Sequence, residues 1–298
     1  MKSLITLTIA ISALNEERNI GALIKSLLSQ KEVGYRLHEI IIASDGSTDQ
    51  TVQVVKEIDS DLVKIRNYSN KQGKSFRLAQ IYNSLNSDFV LQLDADLQLT
   101  GSDFIIKLLK PFKDNAVGMT GANAIPKRPA TFVGKAIASS VRPYTSLKDY
   151  YPSLSVGPAM ALRTDLAKQM RIPKGLIGED IFAYFKCLTL GYKYVYVKEA
   201  VVNYVLPQNI KEHIAQNVRF LISPKTMENY FDISLLKKED HIPFLVKIKA
   251  LLSEAFTHPI EAIAIFFINL VCRFIAIFNR GTHYKNWHPA QTTKVNPI

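Results

Sequence analysis

The chain has 298 residues, 47% of them hydrophobic and 21% charged, so it can bury a large core and does not belong to the disordered class. Its 37 Lys and Arg residues against 26 Asp and Glu residues leave a formal charge of +11, which favours polyanionic partners such as nucleic acid, an anionic membrane or phosphate-bearing small molecules. Two distant cysteines, Cys187 and Cys272, exclude a disulfide scaffold and a clustered zinc site, and they fit a reducing compartment.

The N-terminal apolar run is predicted to be a buried strand and not a secretion signal. Residues Leu4 to Leu14 are interrupted by polar side chains and then meet Asn15-Glu16-Glu17, without a small-residue cleavage pattern. We therefore expect the body of the protein to stay in the cytoplasm.

Strand-like and helix-like segments alternate through the first third of the chain. Strands are predicted at 4–13, 39–43, 63–66 and 89–93, with helical spacing of apolar residues after Ile20, Val52 and Leu78. Ser47 and Gln50 have the spacing of a capping box that would open the second helix. This order predicts an α/β fold with a mostly parallel sheet and flanking helices. Ligands bind beyond the carboxyl ends of such strands, where Asn15, Asp45 and Asp94 lie.

The middle of the chain is predicted to be irregular. Residues 123–171 contain five prolines and scattered aromatic residues, which is typical of a substrate-facing loop region. Regular structure is predicted to resume with a helix from Gly178 to Leu190 and a strand from Lys193 to Val197.

The last part of the sequence is apolar enough to meet a membrane. Residues 242–256 have the character of a helix lying on a bilayer surface, and residues 259–278 have the length needed to cross one. Four polar residues fall near one face of this second helix and should meet protein or the membrane interface; they are Glu261, Asn269, Arg273 and Arg280. A buried helix of a soluble domain is the alternative. We predict two domains, 1–230 and 231–298, the second membrane-associating.

Two carboxylates at a predicted strand end indicate a cation site. Asp94 and Asp96 project from one short turn, where they can hold a hard divalent cation and leave positions for phosphate oxygens. Acids are also common in solvated turns, so this pattern alone leaves both interpretations open.

Two further loops have groups that suit a nucleotide. Asp45-Gly46-Ser47-Thr48-Asp49 can offer backbone amides and hydroxyls, and Asp45 can accept a hydrogen bond from a base or ribose. The loop from Lys71 to Arg77 combines Gly73 with cations that include Lys74, and such a loop suits a diphosphate. A capped turn and a solvated basic loop are the structural alternatives.

Two later segments are ambiguous by themselves. Glu179-Asp180 begins a predicted helix, where acids are favoured by the helix dipole, but a carboxylate there can also deprotonate an acceptor hydroxyl. Gln216 and Arg219 lie on one helix face, where they contact donor phosphates or acceptor, or simply form a surface helix.

Taken in order, these segments resemble the inverting family 2 glycosyltransferases of GT-A fold, from about Leu4 to Phe220. The resemblance is carried by residues 12–17, 44–49, 73–74, 94–96, 157–163, 178–180 and 216–220. Each motif is modestly specific, and the ordered set is highly specific.

The resemblance implies a role for each matching residue. Donor binding is implied for Ala13, Glu16, Asp45, Lys74, Asp94, Gln216 and Arg219. Asp96, helped by Asp94, resembles the metal-binding acid for Mn2+ or Mg2+, and Asp180 resembles the acceptor-activating base, with Glu179 beside it. Gln216 and Arg219 match the Q-x-x-R-W element of membrane-bound synthases that handle long or lipid-linked glycans.

Three positions depart from the family pattern. Ser44 stands where many relatives have a further aspartate, Gly178 where synthases often have threonine, and Phe220 in place of the tryptophan. Together with a single long apolar segment, these departures argue against a processive polymerase of the cellulose or hyaluronan type.

The expected function is a metal-dependent, hexosyltransferase-like enzyme of glycan biosynthesis. Its partners would be a nucleotide-diphosphate sugar, a lipid-linked or envelope glycan acceptor and a membrane surface, without nucleic acid. It would act by direct displacement at the cytoplasmic face of the cell membrane, as a single-pass or monotopic protein. The alternatives are a sugar nucleotidyltransferase and a non-catalytic basic protein that binds membrane or nucleic acid.

Overall fold

The computed structural model describes residues 4–239, 241–278 and 290–294. Its strands are β1 (Ile5–Ala13), β2 (Tyr35–Asp45), β3 (Val63–Tyr68), β4 (Phe89–Asp94), β5 (Gln98–Leu99), β6 (Val117–Pro126), β7 (Ala159–Arg163) and β8 (Lys193–Tyr204). Its helices are α1 (Ile20–Leu28), α2 (Thr51–Lys56), α3 (Lys74–Asn83), α4 (Phe104–Leu109), α5 (Phe132–Thr145), α6 (Thr164–Gln169), α7 (Glu179–Thr189), α8 (Ile210–Met227), α9 (Ile233–Glu239), α10 (Phe244–Thr257) and α11 (Pro259–Phe278).

The chain divides into two compact units. The first comprises the described residues 4–125, 155–204 and 294, and the second comprises 126–154, 205–239, 241–278 and 290–293. These units are defined by compactness, and α5 and α8 both belong to the second one. The predicted division at residue 230 separates a catalytic part from a membrane-associating part, which is a different distinction.

The first unit contains one sheet in the order β3-β2-β1-β4-β7-β6-β8-β5. Strands β1 to β4 are parallel, as predicted, while β7 is antiparallel to β4 and to β6, and β5 is antiparallel to β8. The predicted α/β fold is therefore confirmed, and its sheet is mixed, with parallel pairing among β1 to β4 and antiparallel pairing of β4 with β7, of β6 with β7 and of β5 with β8. The continuous apolar runs of β1 and β2 are fully buried, as expected for central strands of a parallel sheet covered on both faces.

Helical spacing places the apolar side chains of α1 on one buried face. Ile20, Leu23, Ile24 and Leu27 repeat at intervals of three and four residues, and each is at most 1% exposed. Helix α3 packs in the same way against β1 and β2. Both helices follow loops at the carboxyl ends of strands, so their packing fixes where those loops lie.

Two predictions of local structure were wrong. The middle region contains β6, α5, β7 and α6, because its apolar residues pack well enough to outweigh the prolines, and Pro143 lies inside α5. The predicted capping box at Ser47 and Gln50 does not form: α2 begins at Thr51, and the Ser47 hydroxyl accepts a hydrogen bond from the Asn15 amide instead.

The second unit packs α11 against α5, α8 and α10. Its core contains Val218, Cys272 and Ala276. The polar residue Asn269 faces α8, where its amide oxygen accepts hydrogen bonds from Asn217, at 2.6 Å, and His213. The predicted contact of a polar stripe with protein is thus confirmed at Asn269, whereas Arg273 is exposed and Arg280 lies outside the described residues.

Large apolar side chains of α10 and α11 remain exposed, and we call them the apolar face. Its members are Phe244, Leu245, Ile248, Leu251, Leu252, Phe256, Ile260, Ile263, Phe266, Phe267, Leu270, Val271, Phe274, Ile277 and Phe278. Within the described part of the chain, α11 is the one helix long and apolar enough to cross a bilayer, and only 17% of its most apolar stretch is buried. The core helix of a soluble protein would be mostly buried.

Candidate active site

The predicted polar clusters meet at one edge of the sheet. Ala13 is the last residue of β1 and lies opposite Ser44 of β2, while Ser12 lies opposite Asp94 of β4. The loops that leave β1, β2 and β4 therefore begin side by side. This is the edge at which a parallel sheet of this type receives ligands.

The first two of these loops are joined by reciprocal hydrogen bonds. The Asn15 amide donates to Ser47 Oγ at 3.1 Å, and Asn15 Oδ1 accepts from the Thr48 amide at 2.7 Å. Glu17 and Asp49 repeat the pattern, since the Glu17 amide donates to Asp49 Oδ2 and Glu17 Oε2 accepts from the Gln50 amide. These hydrogen bonds join the loop that follows β1 to the loop that follows β2, although the two motifs are separate in the sequence.

Asp45, the last residue of β2, joins these two loops to the loop that follows β3. Its carboxylate accepts hydrogen bonds from the Gln72 and Gly73 amides at 2.8 and 2.7 Å, and from Arg77 Nε at 2.7 Å. The Arg77 guanidinium also lies over the Tyr68 ring, 3.7 Å from its centroid, and is almost fully buried. Three of about four acceptor positions on Asp45 are thus filled from within the protein, which leaves one for a ligand.

Lys74 bridges two carboxylates from distant parts of the chain. Its Nζ atom lies 2.5 Å from Oδ1 of Asp94 and 2.5 Å from Oε1 of Glu179. Burial by itself would lower the pKa of Lys74, but the charges of Asp94, Glu179 and Asp180 outweigh it and hold this pKa well above its usual value. Lys74 therefore keeps its proton and draws the end of β4 towards the start of α7.

Glu179 and Asp180 begin α7 after Gly178, whose φ of 82° lies in the left-handed region that favours glycine. The preceding segment is tied to α3, because the Ser75 hydroxyl donates a hydrogen bond to the Leu176 carbonyl at 2.5 Å. Burial, followed by the neighbouring charge of Glu179, raises the pKa of Asp180 to about 6. Glu179 has its charge balanced by Lys74, so the two adjacent acids have different environments.

Asp96 lies in the most acidic part of the site. Burial first, and then the charges of Asp94 and Glu16, raise the pKa of Asp96 to about 7. We call Glu16, Asp94, Asp96, Glu179 and Asp180 the carboxylate cluster. An excess of negative charge of this kind is relieved by a cation.

The carboxylate cluster fits a divalent metal that is only partly held by protein. Within residues 4–239, 241–278 and 290–294, no three acidic, His or Cys side chains converge as a metal-binding group. Asp94 and Asp96 nevertheless offer the oxygen atoms that Mg2+ and Mn2+ prefer, and such ions often take one or two carboxylates together with substrate phosphates and water.

Comparison with known families identifies this architecture. The family described as "Glycosyl transferase family 2" matches residues 8–162, which is more than half of the chain, and "Glycosyl transferase family group 2" matches residues 89–292. The chain belongs to glycosyl transferase family 2. The resemblance inferred from the ordered motifs is confirmed.

Two curated relatives of this glycosyltransferase come from Staphylococcus aureus. A poly-beta-1,6-N-acetyl-D-glucosamine synthase is 25% identical over 72% of this chain and 53% of its own length. A 4,4'-diaponeurosporenoate glycosyltransferase is 26% identical over 50% of this chain and 35% of its own length. The chain thus spans about half or less of the curated relatives it matches.

Two solved structures share the GT-A type of fold with this family 2 protein. A mannosyltransferase from Pyrobaculum calidifontis, in complex with GDP-Man and Mn2+, has a TM-score of 0.60 at 16% identity and covers 97% of this chain and 83% of its own. Glucosyl-3-phosphoglycerate synthase from Mycobacterium tuberculosis, in complex with Mn2+ and UDP, has a TM-score of 0.52 at 17% identity and covers 77% of this chain and 82% of its own.

The first unit of the glycosyltransferase brings together most of the predicted site residues. These are Ala13, Glu16, Asp45, Lys74, Asp94, Asp96, Glu179 and Asp180. Gln216 and Arg219 lie one turn apart on α8 of the second unit, both half-buried, and the Arg219 guanidinium is 5.9 Å from the centroid of the exposed Phe220 ring. Their predicted contact with the donor stays a prediction.

Sequence reasoning missed Lys294 in this glycosyltransferase. Lys294 Nζ donates a hydrogen bond to the Leu14 carbonyl at 2.5 Å and to the Asn15 carbonyl, and it lies 3.1 Å from Glu16 Oε1. Burial nonetheless raises the pKa of Glu16, against the opposing charge of Lys294. No local pattern marks Lys294, because its partners are about 280 residues away in the chain. The stack of Arg77 on Tyr68 was also missed: the two residues are close in the chain, but β3 and α3 place them in different elements, and no motif pairs them.

Proposed function

We propose that this protein is a metal-dependent, inverting glycosyltransferase that moves a sugar from a nucleotide-diphosphate sugar to a hydroxyl acceptor by direct displacement. The observation that carries the proposal is the bridge from Asp94 through Lys74 to Glu179, beside Asp180. It brings the acids at the end of β4 close to the acids that begin α7. Donor phosphates and acceptor hydroxyl would meet between these two groups.

The donor site is assigned to the loops that follow β1, β2 and β3. Asp45 retains one acceptor position for an N–H or O–H of the nucleoside, and the hydrogen bonds from Arg77 and Gly73 hold its carboxylate in place. Asp94 and Asp96 would hold Mn2+ or Mg2+, and the bound ion would neutralise charge on the diphosphate. The two solved structures of the same fold, one named with GDP-Man and Mn2+ and the other with UDP and Mn2+, support this assignment.

Asp180 is proposed as the base that accepts the proton of the acceptor hydroxyl. Adjacent acids in different environments can take different roles, and here Glu179 is ion-paired with Lys74 whereas Asp180 has its pKa raised to about 6. A base with a pKa near the working pH combines a large ionised fraction with useful basicity. Attack by the acceptor oxygen on the anomeric carbon breaks the bond to the leaving phosphate oxygen, and the anomeric centre inverts.

The acceptor is proposed to be a lipid-linked or envelope glycan, with the protein at the cytoplasmic face of the cell membrane. Support comes from the apolar face of α10 and α11, which is much larger than the scattered apolar residues of an ordinary soluble surface. Lys247 and Lys249 lie on α10, where they would meet anionic head groups.

We retain 1–230 as the catalytic part and 231–298 as the membrane-associating part. Gln216 and Arg219 would then contact donor phosphates or acceptor.

Calorimetry with a panel of nucleoside diphosphates and their sugar conjugates tests this function. The full chain in detergent should bind one nucleotide, with and without its sugar, and bind it more tightly when Mn2+ is present. Asp96→Ala should abolish the Mn2+ dependence, whereas Asp61→Ala at an exposed position should not. Release of pyrophosphate during turnover would instead indicate a nucleotidyltransferase. Salt-sensitive binding of nucleic acid without nucleotide binding would indicate a non-catalytic basic protein.

A further inference from the structure

The Lys294 ammonium group contacts three oxygen atoms of the loop that follows β1. Its contacts are the carbonyls of Leu14 and Asn15 and Oε1 of Glu16, so three acceptors meet its three N–H donors. The Lys294 side chain is only 7% exposed and that of Glu16 only 10%. Burying a lysine is unfavourable unless the charge is paired and hydrogen-bonded, and both conditions are met here.

The two carbonyls converge because of the backbone at Asn15. Its φ of 56° lies in the left-handed region, which is uncommon for a residue other than glycine and is tolerated best by Asn and Asp. Consecutive carbonyls of Leu14 and Asn15 then reach the same ammonium group. Without Lys294, these two carbonyls would lose a hydrogen-bond donor, and the Glu16 carboxylate would keep Asn19 Nδ2 as a partner but lose its cation.

The same contact balances charge next to the proposed donor site. Glu16 and Asp94 both act on Asp96 through their negative charge, so Glu16 belongs to the carboxylate cluster that a donor diphosphate must approach. Lys294 and Asn19 Nδ2 bind the two oxygens of Glu16, at 3.1 and 3.0 Å. They hold this carboxylate in one orientation, and Lys294 offsets its charge.

We propose that Lys294 is a positioning residue of the donor site. It fixes the first donor loop, Leu14 to Glu16, in its left-handed turn and offsets the charge of Glu16, so that an anionic nucleoside diphosphate can bind beside Asp94 and Asp96. The inference rests on the proposed function, and it adds Lys294, a residue about 280 positions from the first donor loop in the sequence, to the donor site. Lys294 acts through Glu16 and the loop and needs no contact with the nucleotide.

The test measures the affinity of Lys294→Ala for the nucleotide that binds wild-type protein, by calorimetry on the full chain with Mn2+. We expect the dissociation constant to rise about tenfold or more, because a buried carboxylate loses its charge partner. Lys56→Ala, at an exposed lysine that ends α2, should leave the dissociation constant within about twofold. Hydrogen exchange at the amides of Asn15, Glu16 and Glu17 should increase in Lys294→Ala only.

A rescue experiment separates positioning from general destabilisation. Lys294→Cys should bind nucleotide as weakly as Lys294→Ala, and alkylation of the new thiol with 2-bromoethylamine should restore most of the affinity, because it rebuilds an ammonium group at nearly the same distance. Wild-type protein treated in the same way is the control, since Cys187 and Cys272 are both buried. Lys294→Gln, which keeps hydrogen-bond donors without charge, provides a milder variant if Lys294→Ala does not fold.

The outcomes distinguish this inference from the function on which it rests. If wild-type protein binds nucleotide and Lys294→Ala and Lys294→Gln bind it within about twofold as tightly, the positioning role is overturned while the proposed function stands. If wild-type protein binds no nucleotide of the panel, both are overturned. Loss of affinity that alkylation does not restore would show that Lys294 contributes packing and not charge, which also contradicts the proposal.

Discussion

At the residue scale, the site works through pairs of charged groups with unequal environments. Lys74 takes up charge from Asp94 and Glu179, while Asp180 keeps a raised pKa beside them. The same environment that makes Asp180 harder to ionise also makes it a stronger base once it is ionised. In the proposed mechanism, the ion pair of Glu179 with Lys74 leaves Asp180 as the acid that takes the proton.

Replacement of the proposed base should stop chemistry without preventing donor binding. For Asp180→Asn we expect kcat to fall by about a thousandfold, within the range that general-base catalysis contributes. The dissociation constant of the donor should change by less than about threefold, since the amide keeps the size of the acid. Asp165→Asn, at an exposed acid in the first turn of α6, is the matched control. Residual transfer above a tenth of the wild-type rate would assign the base to another group.

The pH dependence follows from the raised pKa of Asp180, about 6. The base acts only when ionised, so kcat/KM should rise by about tenfold from about pH 5 to about pH 7 and then level off. Transfer rates measured across this range with a fixed donor concentration below KM check the prediction. A profile that is flat over the same range, or that falls, would contradict a base with this pKa.

The buried pair of Asp45 and Arg77 should matter for stability. Arg77→Ala leaves the Asp45 carboxylate buried without its cation and removes the stack on Tyr68, which should cost about 3 kcal/mol of folding free energy. Denaturant unfolding followed by tyrosine fluorescence measures this loss. Arg36→Ala, at an exposed arginine in β2, should cost less than about 0.5 kcal/mol. Equal stabilities of the two variants would mean that Asp45 is balanced by other groups.

At the element scale, α11 has two faces with different partners. One face packs on α8 through the Asn269 hydrogen bonds to Asn217 and His213, and the opposite side chains are exposed and apolar. Polar contacts of this kind fix the register of a helix pair whose other contacts are uniformly apolar. Helix α10 also exposes apolar residues, while its buried Glu254 accepts hydrogen bonds from Arg142 and Ser139.

A charge on the apolar face should weaken membrane binding and leave the fold intact. Phe267 is 60% exposed on α11, and Phe267→Asp places a carboxylate where we propose lipid, at a cost of about 2.5–3.5 kcal/mol near the centre of a spanning helix. Flotation with vesicles should show a clear loss of the bound fraction, with an unchanged melting temperature. Val33→Asp, at a similarly exposed residue of the first unit, is the control. If both variants float with vesicles to the same extent, the proposed membrane role of this face is contradicted.

At the scale of the whole molecule, charge and apolar surface would act on the proposed membrane partner in different ways. The formal charge of +11 attracts anionic lipid over a distance limited by salt, whereas the apolar face acts only on contact and is insensitive to salt. The charge alone leaves nucleic acid as an equal candidate. The apolar face is the observation that favours the proposed membrane partner.

Vesicle composition should separate these two contributions. Binding to vesicles with anionic lipid should exceed binding to neutral vesicles at low salt, with about 1 kcal/mol for each basic residue near the surface. At about 0.5 M salt the two should converge on a common value that is not zero, because the apolar contact remains. Sedimentation of vesicles over a salt series measures this. Complete release at high salt would leave only electrostatic attachment.

Periodicity and motif order determined most of the fold that positions the site. Strands β1 to β4 and helices α1, α3, α7 and α11 could be predicted because their apolar spacing is local and each strand end is marked by Asp, Asn or Gly. The mixture of parallel and antiparallel strands could not be predicted, because strand pairing joins residues that are far apart in sequence. The apolar spacing of β6 to β8 does not indicate whether a strand runs parallel or antiparallel to its neighbour. The proline-rich middle was misread because tertiary packing outweighed local preference.

For the site itself, the sequence by itself determined which residue types are present and in what order, which is enough to name the family and the candidate acids. Only the tertiary structure decided the partners of those acids: Lys74 with Asp94 and Glu179, Arg77 with Asp45, and Lys294 with Glu16. The physical reason is that a carboxylate's pKa and role depend on charges within a few ångströms. Those charges come from chain segments whose approach no local pattern encodes.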